Sequence, residues 1–247
     1  MMNFTTLIVI LSLLVIWVPW LLRKKIIPYF VRLSHDNWLL KAKDQRKLKQ
    51  CLQIIDQLYR NDNPFNISRL ARAKSGLTDD AYVYGEIVPI TLIRLLKLAH
   101  PKKDEVFFDI GSGSGKAVLT AALAFDFQKA IGLEILEPLH QLATNRSNEL
   151  KRYCQIHNIS LSCERVFHFC DYMNENWDSG DIYFINATCY RGELWNNIVK
   201  KFRALKPGVR VIITTKRLDF PEFQLLYQGQ ELMSWGLNST FLYQKIR

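Results

Sequence analysis

Residues Glu105 to Lys116 read Glu-Val-Phe-Phe-Asp-Ile-Gly-Ser-Gly-Ser-Gly-Lys, and no other stretch limits the fold as tightly. Val106-Phe107-Phe108 is an apolar run of the kind that fills a strand buried on both faces. It ends in Asp109, and Gly111, Gly113 and Gly115 follow at alternate positions. From Lys116 to Ala124 the chain is dense in helix formers, with apolar residues at helical spacing. A strand, a glycine turn and a helix start bring backbone N–H groups and a positive helix end against a polar ligand.

The rest of the chain repeats this alternation. Lys129–Glu134 reads as a second strand and Pro138–His157 as a long helix. Ser162–Phe169, Asp181–Asn186 and Val209–Thr215 read as three more strands, with a helix over Arg191–Leu205. Phe223–Met233 and Ser239–Ile246 form a terminal hairpin around Gly236-Leu-Asn238. Upstream, Val88–Ala99 is a helix that His100-Pro101 stops. The pattern predicts an open, mostly parallel, seven-stranded α/β sheet with helices on both faces.

Spacing narrows the ligand. A dinucleotide site of G-x-G-x-x-G form needs glycine at position 116, where lysine stands. G-x-G-x-G led by an acid two places earlier is the pattern of S-adenosylmethionine sites. The zwitterionic methionine end and the ribose of that cofactor lie over the loop Gly111-Ser112-Gly113-Ser114-Gly115, and Asp109 suits its amino group. The second strand ends in Glu134, about 20 residues past the loop, where a carboxylate accepts both ribose hydroxyls. Asp171 and Asn186 end two further strands, so four polar residues converge on one edge of the sheet. Asp171 suits the adenine amino group, with Tyr172 or Phe169 flanking the ring.

Methyl transfer from a sulfonium is an in-line displacement, and the protein mainly aligns a neutral, electron-rich nucleophile. Asn186 facing the sulfonium end, with Tyr190 or Tyr183 lining the channel, supplies a polar group and aromatic walls that also suit a cationic substrate. The five histidines form no acid–base constellation. The five cysteines show no C-x-x-C spacing, so neither zinc nor any other metal is expected. Cys170 and Cys189 read as packing residues.

Charge is segregated. Of 33 basic and 23 acidic residues, 13 basic and only 4 acidic lie between Arg23 and Lys74, leaving the remainder close to neutral. Nucleic acid is therefore not the expected partner, because its binding domains are basic across the functional face. Phe4 to Leu22 carries no charge and at about 1.5 Å per residue reaches roughly 28 Å, near the hydrocarbon thickness of a bilayer. Trp17 and Trp20 lie near its end and Arg23-Lys24-Lys25 come directly after. A cleaved signal peptide wants a basic start and a small-x-small site, which are not evident. The expectation is a single-pass anchor over 4–22, N-terminus outside, a basic helical juxtamembrane segment over 23–77, and a cytosolic catalytic domain over 78–247. Ile26–Leu33 is expected at the membrane surface. A helix over Asn37–Tyr59 either packs on the main domain or meets anionic headgroups. Phe65–Leu77 is irregular or a short helix.

Tyr84-Gly85-Glu86, then Val-Phe-Phe-Asp109-Ile-Gly-Ser-Gly, Gly-Leu-Glu134, Cys-Asp171-Tyr172 and Phe-Ile-Asn186-Ala-Thr-Cys-Tyr190 succeed one another in the order found in a known family. Over roughly 78–217 the chain resembles the SET-independent histone-lysine methyltransferases, the family named for disrupting telomeric silencing. Ile87 stands where that family has threonine, and only Asn186 and Tyr190 match its later motif of two asparagines and two phenylalanines. The resemblance implies a Rossmann-like class I methyltransferase fold. It also implies a loop carrying Tyr84 and Glu86 over the cofactor's methionine end, Glu134 on the ribose, Asp171 with an aromatic neighbour at the adenine, and Asn186 near the transfer site. Val88-Pro89, the glycine loop and the apolar stretch are also similar to membrane-bound lysine methyltransferases that modify ATP synthase. The expected function is methylation of a protein lysine at or near the membrane. The alternatives are a lipid or small-molecule methyltransferase, and a non-catalytic cofactor-binding membrane protein.

Overall fold

The structure is a computed structural model that describes residues 22–247. β1 (Val106–Ile110), β2 (Lys129–Glu134), β3 (Glu164–Phe169), β4 (Ile182–Ile185) and β5 (Arg210–Thr214) run parallel. β6 (Phe223–Met233) and β7 (Gly236–Lys245) form an antiparallel pair at one edge. The order is β3-β2-β1-β4-β5-β7-β6. The chain therefore starts inside the sheet, works outward to β3, and returns to the other side of β1. That reversal between β1 and β4 opens a crevice at their carboxyl ends, where open α/β sheets bind ligands. Ile110 is in register with Leu133 and Ile185, so Gly111, Glu134 and Asn186 leave the sheet at one level.

Every residue of β1, β4 and β5 is buried, as continuous apolar strands between two helical layers must be. On one face, Ile198, Val199 and Phe202 of α7 (Gly192–Ala204) share a core with Val106, Phe108, Ile110, Tyr183 and Ile185. On the other side lie α4 (Pro89–Leu98) and α5 (Lys116–Ala124), the latter buried at every residue after its first. α2 (Gln45–Tyr59) packs on α5, and α3 (Pro64–Ser75) packs on α6 (Glu137–Ile156). The hairpin turn falls at Ser234-Trp235, two residues earlier than expected.

Two compact units are present, one ending at Ala42 and one spanning Lys43–Arg247. The second therefore begins well before residue 78. The helices of 43–77 belong to it: Cys51 Sγ donates to Thr120 O, Tyr59 Oη donates to Ser114 O at 2.8 Å, and Arg146 forms a two-pronged ion pair with Asp62. The helix expected over Asn37–Tyr59 is two helices. α1 (Ile27–Lys41) ends at an extended Ala42, and α2 starts after Asp44, whose carboxylate meets Lys97 Nζ at 2.6 Å. Of the two expectations for Phe65–Leu77, irregular or a short helix, the helix holds: α3 is capped by Asn63 Oδ1 and ended by a left-handed Gly76. The anchor expected over Phe4–Leu22 lies, except for Leu22, outside the described residues. Among the described residues no helix is long and apolar enough to cross a membrane.

Candidate active site

The glycine turn is built by its neighbours. Gly111, Gly113 and Gly115 all have positive φ, at 79°, 53° and 78°. Gly111 and Ser112 N–H groups donate to Leu133 O, which ties the turn to β2. Gly113 N–H donates to Glu134 Oε2 at 2.6 Å. A Cβ on Gly113 would overlap the Tyr84 ring, so the left-handed backbone and the close approach both require glycine there.

Glu134 is buried, and its Oε1 accepts Leu136 N–H at 2.8 Å. Burial raises its carboxyl above the ordinary range, while the Leu136 and Gly113 N–H bonds pull the other way. Asp109 is 2% exposed, and burial together with the neighbouring Glu134 pushes it up to about 8.

The loop before α4 lies over this turn. Tyr84 Oη donates to Glu86 Oε1 and lies 2.9 Å from Ser114 Oγ. Glu86 Oε2 accepts Lys116 Nζ at 2.5 Å, and that ammonium sits 4.9 Å from the centre of the Tyr59 ring. Behind the loop is the β6–β7 turn. Ser234 N–H donates to Glu86 O at 2.8 Å, Glu86 N–H donates to Ser234 Oγ at 3.1 Å, and the Trp235 ring lies against Gly85. Ile87, the departure from the family's threonine, is buried and bridges Met233.

Between loop and sheet edge run two small lobes. One, of about 70 Å³, is lined by Tyr82, Tyr84, Gly111, Glu134, Tyr172, Asn186 and Tyr190. The other, of about 20 Å³, is lined by Glu86, Asp109, Ser112, Ser114, Lys116 and Asn186. Tyr84, Gly85, Gly111 and Asn186 border both. An open depression of about 420 Å³ adjoins the larger lobe through Ala81 and Cys189, with Asp79, Asp80 and Arg191 on its rim.

The family model for "Histone methylation protein DOT1" matches residues 70–235. This chain belongs to the DOT1 family. Its relatives include the H3 lysine-79-specific histone-lysine N-methyltransferase of Eremothecium gossypii, 30% identical over 142 residues, or 56% of this chain and 24% of that one. The corresponding enzyme of Gibberella zeae is 29% identical over 164 residues, or 64% of this chain and 32% of that one. The chain thus spans a quarter to a third of the length of these relatives. Among solved structures, magnesium protoporphyrin IX methyltransferase from Synechocystis shares the fold, with a TM-score of 0.50 and 12% identity over 78% of this chain and 90% of that one. The family depends on S-adenosylmethionine, as the resemblance implied.

In this DOT1-family chain the structure brings together Tyr84, Glu86, Asp109, Gly111, Ser112, Glu134, Tyr172, Asn186 and Tyr190. Gly113 and Gly115 shape the turn without lining either lobe. A Cβ on Gly115 would meet Ala143 and Phe167. Asp171 lines neither lobe, although its neighbour Tyr172 lines the larger one. It is exposed, and its carboxylate accepts Met173 N–H at 2.9 Å, capping the short turn Tyr172–Asn174. Phe169 is likewise outside both lobes and exposed. Tyr183, the alternative channel residue, is in the core, stacked on Phe108 with its hydroxyl on Trp177 O. Tyr190 is buried beside Tyr172 with its hydroxyl near Gly111, and burial holds its phenol far above the ordinary value. Burial also holds the Cys170 thiol up to about 12, unlike a nucleophile.

Lys116, Ser114 and Trp235 escaped the sequence reading. The signal for Lys116 was its very position: it stands where a dinucleotide fingerprint has glycine, at the first residue of a helix whose N-terminus attracts anions.

Proposed function

We propose that the chain transfers methyl groups from S-adenosylmethionine to a protein lysine side chain, and that it works at a membrane. The observation that carries the reading is the shared cleft of Asp109, Glu134, Lys116 and the glycine turn, roofed by Tyr84-Gly85-Glu86. This donor set suits the group. Carboxylates stand for the ribose and the ammonium, Lys116 and the α5 N-terminus stand for the carboxylate, and Ser112 Oγ is buried without a partner. When bound, the cofactor supplies a methyl group on a sulfonium.

The chain's own residues do the rest. Glu134 keeps lone pairs beyond the two that its backbone donors use. Asp109 ionises against an ammonium. Tyr172 and Tyr190, which line the larger lobe, would form the floor under the nucleoside. Asn186 stands where the lobes meet, the place for transfer, and Asp79 and Asp80 favour approach of a cationic side chain. Small-molecule sites usually need about 300–1,000 Å³, and the lobes hold about 70 and 20 Å³. On this reading the 84–88 loop, which roofs both lobes, lifts to admit the cofactor.

The membrane part rests on the uncharged Phe4–Leu22 stretch and on the residues adjoining its C-terminal end. Ile26, Ile27, Tyr29, Phe30 and Leu33 expose apolar side chains, with Lys24 and Lys25 exposed beside them. That combination suits the interface of an anionic bilayer, with the catalytic unit on the cytosolic side. It also favours, as a second reading, a lipid acceptor.

One experiment separates these. A membrane lysate is incubated with the full-length protein and tritiated cofactor, then run on a gel and extracted with solvent. Protein bands that survive extraction support the lysine reading, and label that leaves with the solvent supports the lipid. No label and no calorimetric binding of S-adenosylhomocysteine would remove the enzyme. Recovery of the protein in the alkali-washed soluble fraction would remove the anchor.

A further inference from the structure

Thr215 leaves β5 in a conformation that β-branched residues avoid, with φ at 67°. Lys216 N–H donates across it to Thr214 O at 2.7 Å, which makes Thr215 the centre of a γ-turn of the rare, strained sense. Such a residue persists only where its surroundings fix it, and such sites cluster beside function. Here the fixing groups form a directed chain. Thr215 Oγ1 donates to Asn238 Oδ1 at 2.8 Å, Asn238 Nδ2 donates to Thr188 Oγ1 at 3.0 Å, and Thr188 Oγ1 donates to Asn186 Oδ1 at 2.9 Å. A second arm arrives from β5. Thr214 Oγ1 accepts Ala187 N–H at 3.1 Å and donates to Asn186 Oδ1 at 2.7 Å. Both arms end on the same oxygen.

An amide oxygen has two lone pairs, and two hydroxyls fill them. The oxygen of Asn186 is therefore committed before any substrate arrives. Gly85 sets the orientation of the amide, because exchanging its O and N would set an oxygen against Gly85 O. What remains is a donor: Asn186 Nδ2 reaches Gly85 O at 3.3 Å, in the middle of the loop that roofs both lobes.

We propose that Thr188, Thr215 and Asn238 are positioning residues that lock the Asn186 amide as a donor, and that the locked amide clasps the Gly85 carbonyl to hold the 84–88 loop over the cofactor. The strain at Thr215 places its hydroxyl on Asn238, and hydrogen bonds aligned in one direction reinforce one another. The clasp joins three strand ends, β4, β5 and β7, to the loop. Its link to cofactor retention rests on the function proposed above, whereas the clasp itself does not.

The test uses the full-length protein in detergent with two readouts. One is hydrogen–deuterium exchange of the backbone amides of 83–88, and the other is the dissociation rate of S-adenosylhomocysteine. Thr188→Val and Asn238→Leu are expected to speed exchange in 83–88 by about five- to tenfold, the weight of one hydrogen bond. Exchange in β1 and α6 stays unchanged, and the ligand leaves faster by a similar factor. Thr188→Ser restores both. Thr215→Gly relieves the strained φ, so it keeps or raises thermal stability, yet it loses the hydroxyl and also loosens the loop. That combination is not the signature of a merely structural residue. Unchanged exchange in 83–88 for Thr188→Val, Asn238→Leu and Thr215→Gly overturns the proposal. Faster exchange together with no ligand binding by the unmodified protein supports the clasp and overturns the cofactor reading instead.

Discussion

One wall of the cleft is the carboxyl edge of a parallel sheet, and the other is a loop laid across it. On the sheet side, Gly111, Glu134 and Asn186 continue strands that are buried at almost every position, and main-chain pairing sets their level. On the loop side, Tyr84, Gly85 and Glu86 are held largely through side chains: Ser114, Lys116, Asn186 and Ser234. Each such bond contributes about 1 kcal/mol net, so the loop can be released in steps whereas the sheet edge cannot. On the function proposed above, recognition falls to the fixed wall and admission to the loop. Changes on the fixed wall should alter affinity, and changes on the loop side should mainly alter rates.

The largest effect is expected at Glu134. Glu134→Ala removes the acceptor for the ribose and also strands the Gly113 and Leu136 N–H groups. Hydrogen bonds to a charged group contribute about 1.5–3 kcal/mol each, so S-adenosylhomocysteine affinity should fall by about 100-fold or more in calorimetry. A loss below about fivefold would show that the sheet edge is not the recognition wall.

Asp109 comes next, and pH tests it. Its folded value of about 8 lies above the ordinary 3.8, so the stability this carboxyl contributes is full below about pH 4 and lost as pH rises through 8. Asp109→Asn should flatten that slope of thermal stability. A ligand ammonium favours the ionised form, so binding releases a proton and should tighten by up to about tenfold per pH unit between pH 6 and 8. The asparagine variant should bind more weakly and with little pH dependence. A wild-type affinity that is flat over that range would remove Asp109 from the ammonium.

The two walls were not equally legible. The fixed wall could be read from the chain, because an apolar run, alternate glycines and an acid at the next strand end are local signals, and the parallel fold aligns them without further information. The loop wall could be read only as a resemblance. Nothing local to Glu86 announces Lys116 or Ser234, which lie 30 and 148 residues away in the chain. Asp171 differs in another way. It ends its strand as expected, but β3 is the edge strand, and a short turn uses the carboxylate as its cap. The break at Ala42 was hidden for a similar reason. The helical pattern continues through it, and the partner that turns the chain, Lys97 for Asp44, comes from α4.

The smallest expected effect discriminates most sharply between the walls. Lys116 and Glu86 are partners in one ion pair, with side chains 20% and 12% exposed. If the pair only braces the loop, removing either partner should do the same thing: loosen the loop and speed both arrival and departure of the ligand. Lys116, however, belongs to the fixed wall, at the first turn of α5, and must leave Glu86 before it can meet the ligand's carboxylate. Glu86→Gln frees it in advance, so association of S-adenosylhomocysteine should quicken by a few-fold. Lys116→Met removes the attraction itself, so association should slow and affinity should drop by about three- to tenfold, the scale of one charge-assisted contact. Stopped-flow association rates for the two variants should therefore move in opposite directions. Rates that move together would make the pair a brace alone and would leave the α5 N-terminus to hold the carboxylate unaided.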